Sequence, residues 1–326
     1  MRKSSGRVIV LVEYFFTDAR LLAFVIRPDS KQPEIVVVST DIGRLRAGIR
    51  AAATDPGGKW PEQIAAPDVV ACVEPLLDYV APGDVICFVP SEELFYVPMH
   101  AIPVDGSPLI GRNPVFYAPS ASTLRYCVHR RNTRDRSSRK ATVFGNPTYD
   151  LKHAITEARQ VATLLGTKPL FGVEVSKRQW LEAMTNCDII HYAGHARFDE
   201  GDPLASRLFL SDGHLTARDL FAWTGPSLRL ITLSGCETGV NLIHPGDELI
   251  GLTRALLHAG ASSLLLTLWR VQDQVAPDLM STFYELWLNG GQRKVDALRN
   301  AQLAMLERGQ TNPFFWAPYV LVGDWD

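Results

Sequence analysis

The chain has 326 residues, 46% of them hydrophobic and 21% charged, and a net charge of −2. That length suits two domains or one large α/β domain. The composition excludes disordered, collagen-like and low-complexity classes, and the near-neutral charge gives no global case for nucleic acid or an anionic membrane.

Five cysteines, Cys72, Cys87, Cys127, Cys187 and Cys236, are scattered without a CxxC pair. This speaks against zinc ribbons and thioredoxin-type motifs and fits a reducing cytosol. The opening MRKSSGRVIVLVEYFF has basic residues before an apolar stretch, but Glu13 interrupts it and no small-residue cleavage site follows. No secretory signal is therefore expected. The longest apolar stretch, residues 255–269, is shorter than the roughly 18 residues that span a bilayer. The expectation is a cytoplasmic protein that contacts neither membrane nor nucleic acid directly.

In chain order, residues 8–16, 21–27 and 34–39 read as strands, the first two joined by a turn at Thr17-Asp18-Ala19-Arg20. A helix over 41–53 follows, capped by Thr40 or Asp41, and another over 69–79. Residues 84–89 are nearly all apolar, the mark of a buried parallel strand. Residues 129–140 carry six Arg or Lys against one Asp. They read as a solvated interdomain loop. A nucleic-acid patch is less supported, because no aromatic residue is interleaved, and a cleavable linker is a third option.

Beyond it, strands are expected over 141–144, 189–193, 228–233 and 261–268, with a hairpin strand over 207–210 turning at Asp212-Gly213. Helices are expected over 153–165, 177–184, 216–223, 247–258, 277–288 and 294–306, with Thr216 as a cap and Gly260 as a stop. The alternation predicts a parallel sheet with helices on both faces. No period of 20–50 residues repeats, so a solenoid is not indicated. The expected division is 1–128, a basic linker over 129–140, and 141–326.

Two places carry reactive groups: Ile189-Ile190-His191-Tyr192-Ala193-Gly194-His195-Ala196 and Leu230-Ile231-Thr232-Leu233-Ser234-Gly235-Cys236-Glu237-Thr238-Gly239. In each, a buried apolar strand runs into a small-residue break that bears one reactive side chain. Carboxyl ends of parallel strands share an edge, where crevices form. If the two strands are neighbours, His195 and Cys236 face one cleft. The imidazole then raises the thiolate fraction and later protonates a leaving amine. Gly194 and Gly235 allow close backbone approach, and the amides of Ala196 and Cys236 are candidates for an oxyanion hole. Taken singly, Cys236 also reads as a small buried hydrophobe and His195 as structural.

Other chemistries fit worse. Ser234 and Thr238 stand where a nucleophile elbow needs glycines, and the Cys-before-His order of papain-like enzymes is reversed. His191 and His195 lack the HExxH glutamate, so no metal site is expected. There is no P-loop or GxGxxG, and no cofactor is expected.

At this point the chain resembles the CHAT family, caspase/separase-like clan CD cysteine peptidases often attached to TPR repeats. His-x-x-Gly-His (191–195) followed by Leu-Ser-Gly-Cys-Glu-Thr-Gly (233–239) carries the resemblance. Gly246-Asp247-Glu248 with Gly251-Leu252, His258-Ala259-Gly260-Ala261, Leu268-Trp269-Arg270-Val271-Gln272-Asp273, and Pro313-Phe314-Phe315-Trp316-Ala317-Pro318-Tyr319 with Gly323 agree with it. So do Val89-Pro90, Val97-Pro98 and Ala101, Pro119-Ser120-Ala121-Ser122, and Gly145-Asn146-Pro147 with Glu157-Ala158.

The resemblance implies a caspase-like three-layer α/β sandwich with a mostly parallel central sheet, preceded by a degenerate caspase-like N-terminal half. It implies His195 as general base and Cys236 as nucleophile of a cysteine endopeptidase. It also implies Asp273 as the acid that receives a basic P1 side chain, with the 199–202 acidic loop as a second candidate. The family usually has Gly where Ala196 stands, Ala at Gly235 and His at Asn312. Ala196 raises the question of a crowded oxyanion hole or a strained φ, and with it the alternative of a non-catalytic scaffold that binds a partner protein. Its setting implies prokaryotic defence or cell death. No repeat array is read in the chain, so a protein substrate and a separate activating or sensor protein are the expected partners.

Overall fold

The computed structural model describes residues 7–133, 140–199, 201–235, 251–271 and 274–326. The main sheet is built from β1 (Ile9–Phe16), β2 (Leu21–Ile26), β3 (Glu34–Val38), β4 (Val85–Val89), β5 (Val115–Tyr117), β6 (Ala141–Gly145), β7 (Pro169–Phe171), β8 (Ile189–Ala193), β9 (Leu230–Ser234), β10 (Ser263–Thr267) and β11 (Tyr319–Gly323). These eleven strands lie side by side in the order β3-β2-β1-β4-β5-β11-β10-β9-β8-β6-β7.

Most neighbours are parallel. The antiparallel joints are the β1–β2–β3 meander and the β10–β11 pair. Because β11 runs parallel to β5 and antiparallel to β10, the strand direction reverses at that seam. The carboxyl ends of β6, β8, β9 and β10 therefore share one edge. β4, β8, β9 and β10 are buried at every residue. Covering both faces removes the need for polar alternation, so these strands read as unbroken apolar runs.

The helices that matter for the site are α1 (Lys152–Leu164) and, beside it, α2 (Ala276–Tyr284). α1 turns Ala154, Glu157, Ala158, Val161 and Ala162 inward at helical spacing.

Several expectations shift. Residues 69–79 do not form one helix: a short helix at Pro67–Val70 gives way to a 3-10 turn at Glu74–Asp78. Pro75 has no amide to continue an α-helical ladder. The helix expected over 277–288 ends in a π-helical turn, Glu285–Asn289. β5 and β11 were not read as strands; β5 is only three residues long. Part of the helix expected over 247–258 is found as Leu252–His258, and residues 247–250 lie outside the described residues.

The basic stretch also differs from a loop. Residues 129–133 are the last turn of the helix Ala121–Thr133, while 134–139 lie outside the described residues. Arg130 donates to the carbonyls of Leu257 and His258 at 2.7 and 3.1 Å, which satisfies the end of the Leu252–His258 helix. Arg131 pairs with buried Asp324 at 2.8 Å, and fully buried Lys294 meets the same carboxylate at 3.2 Å. These arginines act as structural ties, which composition alone does not reveal. Among the described residues no helix is long and apolar enough to cross a membrane.

Candidate active site

β8 and β9 are neighbours in parallel register, with Ala193 opposite Ser234. The pairing continues past the strand ends. Gly194 donates its amide to the Ser234 carbonyl at 3.2 Å, and Asn146 donates to Ala193 at 2.8 Å. From β10, Thr267 donates its hydroxyl to the Gly235 carbonyl at 2.8 Å. Four strand exits are thus stitched into one rim. His195 stands on it, and so does Gly235. Cys236, the next residue in the chain, lies outside the described residues, as does Asp273.

The Gly194–Gly235 approach is close. A Cβ added at Gly235 would collide with the carbonyl oxygen of Gly194. Glycine is required there by contact with rigid backbone.

His195 is held from two sides. Its carbonyl accepts the amide of Phe209 at 3.0 Å, and the Tyr192 hydroxyl bridges the carbonyls of His195 and Phe209. Its imidazole Nε2 meets Asp150 Oδ2 at 2.8 Å. A carboxylate at Nε2 keeps the proton on that nitrogen and leaves Nδ1 as the basic atom of the ring. Asp150 does not stand out in the sequence, because it lies 45 residues before His195 in a loop after β6; its only linear signal is the run Asn146-Pro147-Thr148-Tyr149-Asp150.

That loop is strained. Asn146 and Tyr149 adopt φ of 44° and 66°. Tyr149 is held by the amide of Val173, which donates to its hydroxyl at 3.0 Å, and it lies over Gly172, where a Cβ would collide with the phenol. The Asp150 carboxyl is held below the usual carboxylate range, chiefly by the Thr148 hydroxyl and then by His195. A depressed carboxyl stays charged above the usual value and loses the contact only as pH falls below it, so the Asp150–His195 contact persists through the neutral range. For the peptidase reading proposed below, Asp150→Asn is expected to lower kcat by on the order of ten- to a hundredfold through misorientation of the ring. Gly172→Ala should act in the same direction by displacing Tyr149. Steady-state kinetics on both variants, with thermal melts to show an intact fold, is the check.

Ala196 is buried and packs in the core, in a short strand opposite Leu208. Its φ is not positive, so the methyl imposes no backbone strain. Asn312 caps the helix Pro313–Trp316 by accepting the Phe314 amide. In the acidic loop, Asp199 accepts the amides of Gly201 and Asp202, and Asp202 accepts that of Leu204 and pairs with Arg218. These carboxylates are occupied in holding their own loop; Glu200 lies outside the described residues.

A cavity of about 640 Å³ opens beside the rim, lined by Leu151, Ala154, Glu157, Ser234, Gly235 and Arg270 among others. Glu157 is 2% exposed. Its Oε1 lies 3.1 Å from His191 Nε2 but is misaligned for a hydrogen bond. The Tyr284 hydroxyl connects His191 Nδ1, at 3.4 Å, to Thr232, at 2.8 Å. His191 is thus part of a buried polar network beneath the rim, and no group of side chains among the described residues is arranged to hold a metal.

Three of the other thiols, Cys72, Cys87 and Cys127, are buried and poor nucleophiles. Burial pushes Cys72 and Cys127 up to about 12 and raises Cys87 and Cys187 as well. A thiol with so high a pKa carries almost no thiolate near neutrality.

Comparison with known proteins agrees with this architecture. The CHAT domain profile matches residues 70–324. The mouse protein "Tetratricopeptide repeat protein 28" is 26% identical over 289 residues, covering 71% of this chain and 12% of that protein. Its human counterpart is 25% identical over 240 residues, 59% of this chain and 10% of that protein. The chain thus spans a small fraction of the curated relatives it matches. Among solved structures, the Saccharomyces cerevisiae separase–securin complex superposes with a TM-score of 0.68 at 11% identity, over 97% of this chain and 30% of that one. The Arg-specific cysteine proteinase gingipain R superposes at 0.50 with 15% identity, over 86% of this chain and 74% of that one. At such identities the likeness is one of fold. The fold is therefore the caspase-like one of separase and gingipain, and the chain belongs to the CHAT domain family.

Proposed function

We propose that the chain is a cysteine endopeptidase in which His195 is the general base and Cys236 the nucleophile. The observation that carries this reading is the β8–β9 register: it sets His195 and the residue before Cys236 on adjacent exits of one rim. Asp150 fixes the imidazole tautomer, and Nδ1 takes the thiol proton. The thiolate forms a bond to the scissile carbonyl carbon, giving a tetrahedral oxyanion for which the amides of Ala196 and Cys236 are the assigned donors. The C–N bond then breaks, the imidazolium returns its proton to the leaving amine, and water hydrolyses the thioester.

The substrate class is a protein cut after a basic residue. The 640 Å³ cavity beside Gly235 supports this, with a buried carboxylate, Glu157, at its wall, together with Asp273 from the family resemblance. A carboxylate binding Arg or Lys makes a strong charge-assisted contact. A separate activating protein remains part of the proposal.

A peptidyl electrophile with arginine at P1 should label the wild-type protein at Cys236, as read by peptide mapping, and label His195→Ala poorly. Labelling at another cysteine, or none in the presence of any activator, would leave the scaffold reading in place. A fluorogenic panel varying P1 among Arg, Lys, Ala and Asp should show a preference for Arg and Lys of at least about a hundredfold over Asp. Glu157→Gln or Asp273→Asn should erode that preference through KM. A flat P1 profile would remove the basic-substrate assignment while leaving the dyad untouched.

A further inference from the structure

The cavity beside Gly235 is larger than a single P1 side chain requires. Its volume of about 640 Å³ is of the size that holds a whole small ligand. Besides Glu157 and Gly235, its lining includes Pro56, Gly57, Val271 and Phe314, which bring apolar surface and no charge. Arg270 lines it too and is exposed. Pro56 and Gly57 open the helix Pro56–Gln63, which precedes β4 in the stretch that the family resemblance implies is degenerate. This helix is tied to the cavity. Trp60, fully buried, stacks on Trp269 with 5.9 Å between ring centroids and 21° between planes. The Trp269 indole donates to the Phe314 carbonyl at 3.1 Å. Arg270 and Val271 follow directly in the chain.

Gly57 is the informative position. Glycine is a poor helix former, and the usual reasons for keeping it do not apply here. Its φ is not positive. A Cβ at this position would rest on the Phe314 ring at 3.5 Å, an ordinary contact. Neither the backbone nor crowding demands glycine, and a longer side chain would extend along a ring that lines the cavity.

We propose that this cavity takes two substrate side chains at once: the basic P1 residue toward Glu157, and an apolar residue two positions away in the substrate against Gly57 and Phe314. The inference rests on the peptidase reading. In an extended peptide, side chains alternate between faces. The residue that shares a cavity with P1 is therefore P3 or P2′, and not an immediate neighbour. An apolar side chain seated on Pro56, Gly57 and Phe314 leaves water without leaving a polar group unpaired. Arg270 disfavours a second basic side chain in the same space by like-charge repulsion. The helix Pro56–Gln63 thereby supplies part of the substrate cleft, and Gly57 sets the size of the side chain admitted.

The test uses internally quenched peptides with Arg at P1, varied at P3 and at P2′ among Gly, Leu, Phe, Asp and Lys. At one of these positions Leu or Phe should raise kcat/KM over Gly by about tenfold or more, mainly through KM. Gly57→Leu should lower kcat/KM for the Phe peptide at least about tenfold more than for the matched Gly peptide. Gly57→Ala, whose methyl only touches Phe314, should act in the same direction by less. Melting temperatures close to that of the wild type would show that both variants fold. Turnover with a flat profile at both positions would overturn the inference and leave the peptidase reading standing. So would a preference for Asp, which Arg270 would explain, or a Phe preference that both Gly57 variants leave intact. No turnover of any peptide would end both.

Discussion

Cys236→Ala is expected to reduce peptide cleavage by at least about a thousandfold while leaving the fold intact. The size follows from the mechanism: without the sulfur no acyl-enzyme forms, and what remains is the catalysis that binding and oxyanion donors give to attack by water. His195→Ala should cost a similar amount, because its Nδ1 is the only base assigned to the thiol. The double variant should be no worse than either single one, since the two groups act as a unit. Cleavage of a P1-Arg peptide, measured with the melting temperature of each variant, is the check. Activity that survives Cys236→Ala would show that another group carries the reaction. Cys72, Cys87 and Cys127 are poor alternatives, because burial raises their thiols far above neutrality.

Gly235→Ala is expected to cost both stability and activity. The added methyl would collide with the Gly194 carbonyl oxygen, and that oxygen belongs to the backbone, so it cannot swing aside as a side-chain end could. Overpacking of this kind costs about 1–3 kcal/mol, read as a lower midpoint in denaturant without a change in slope. Activity should fall further than stability predicts, because the exits of β8 and β9 must separate, and these carry His195 and the residue before Cys236. The substitution is informative because alanine is what the family resemblance offers at this position. An unchanged melting point and rate would mean that the two exits do not approach as described.

The same close approach explains how a departure from the family pattern can be accommodated. Ala196 presented the opposite case, a methyl where glycine is usual. It lies in a buried strand without positive φ, so that departure brings no strain. Neither outcome follows from residue identity. Each depends on which atoms lie within a few ångströms, and those atoms come from a different strand.

Much of the architecture was legible in order of residues. The apolar runs at 84–89, 189–193 and 228–233 declared buried parallel strands, because a strand covered on both faces has no polar alternation to display. The helix over 153–165 showed its inward face through residues three and four apart, and Thr216 and Asp41 announced helix starts through side-chain acceptors. The strand-to-glycine break at Gly194 marked the place of His195 in the same way, since a side chain that follows a buried strand has one sheet edge to occupy; Cys236 lies outside the described residues.

What the linear order left open was everything that depends on pairing between distant segments. Residues 129–133 were read as loop from their charge, but their arginines find partners at Leu257, His258 and Asp324, more than 120 residues away. Asp150 reaches His195 only because β6 and β8 are adjacent and the intervening loop is bent through two left-handed residues. In the sequence Glu157 is only part of a pair, Glu157-Ala158, that agrees with the family resemblance; packing alone closes over it and places it at a cavity wall. Local propensity and periodicity act over a few residues and so are written in the chain itself; hydrogen bonds, ion pairs and steric contacts between strands depend on three-dimensional distance, which only the folded sheet sets.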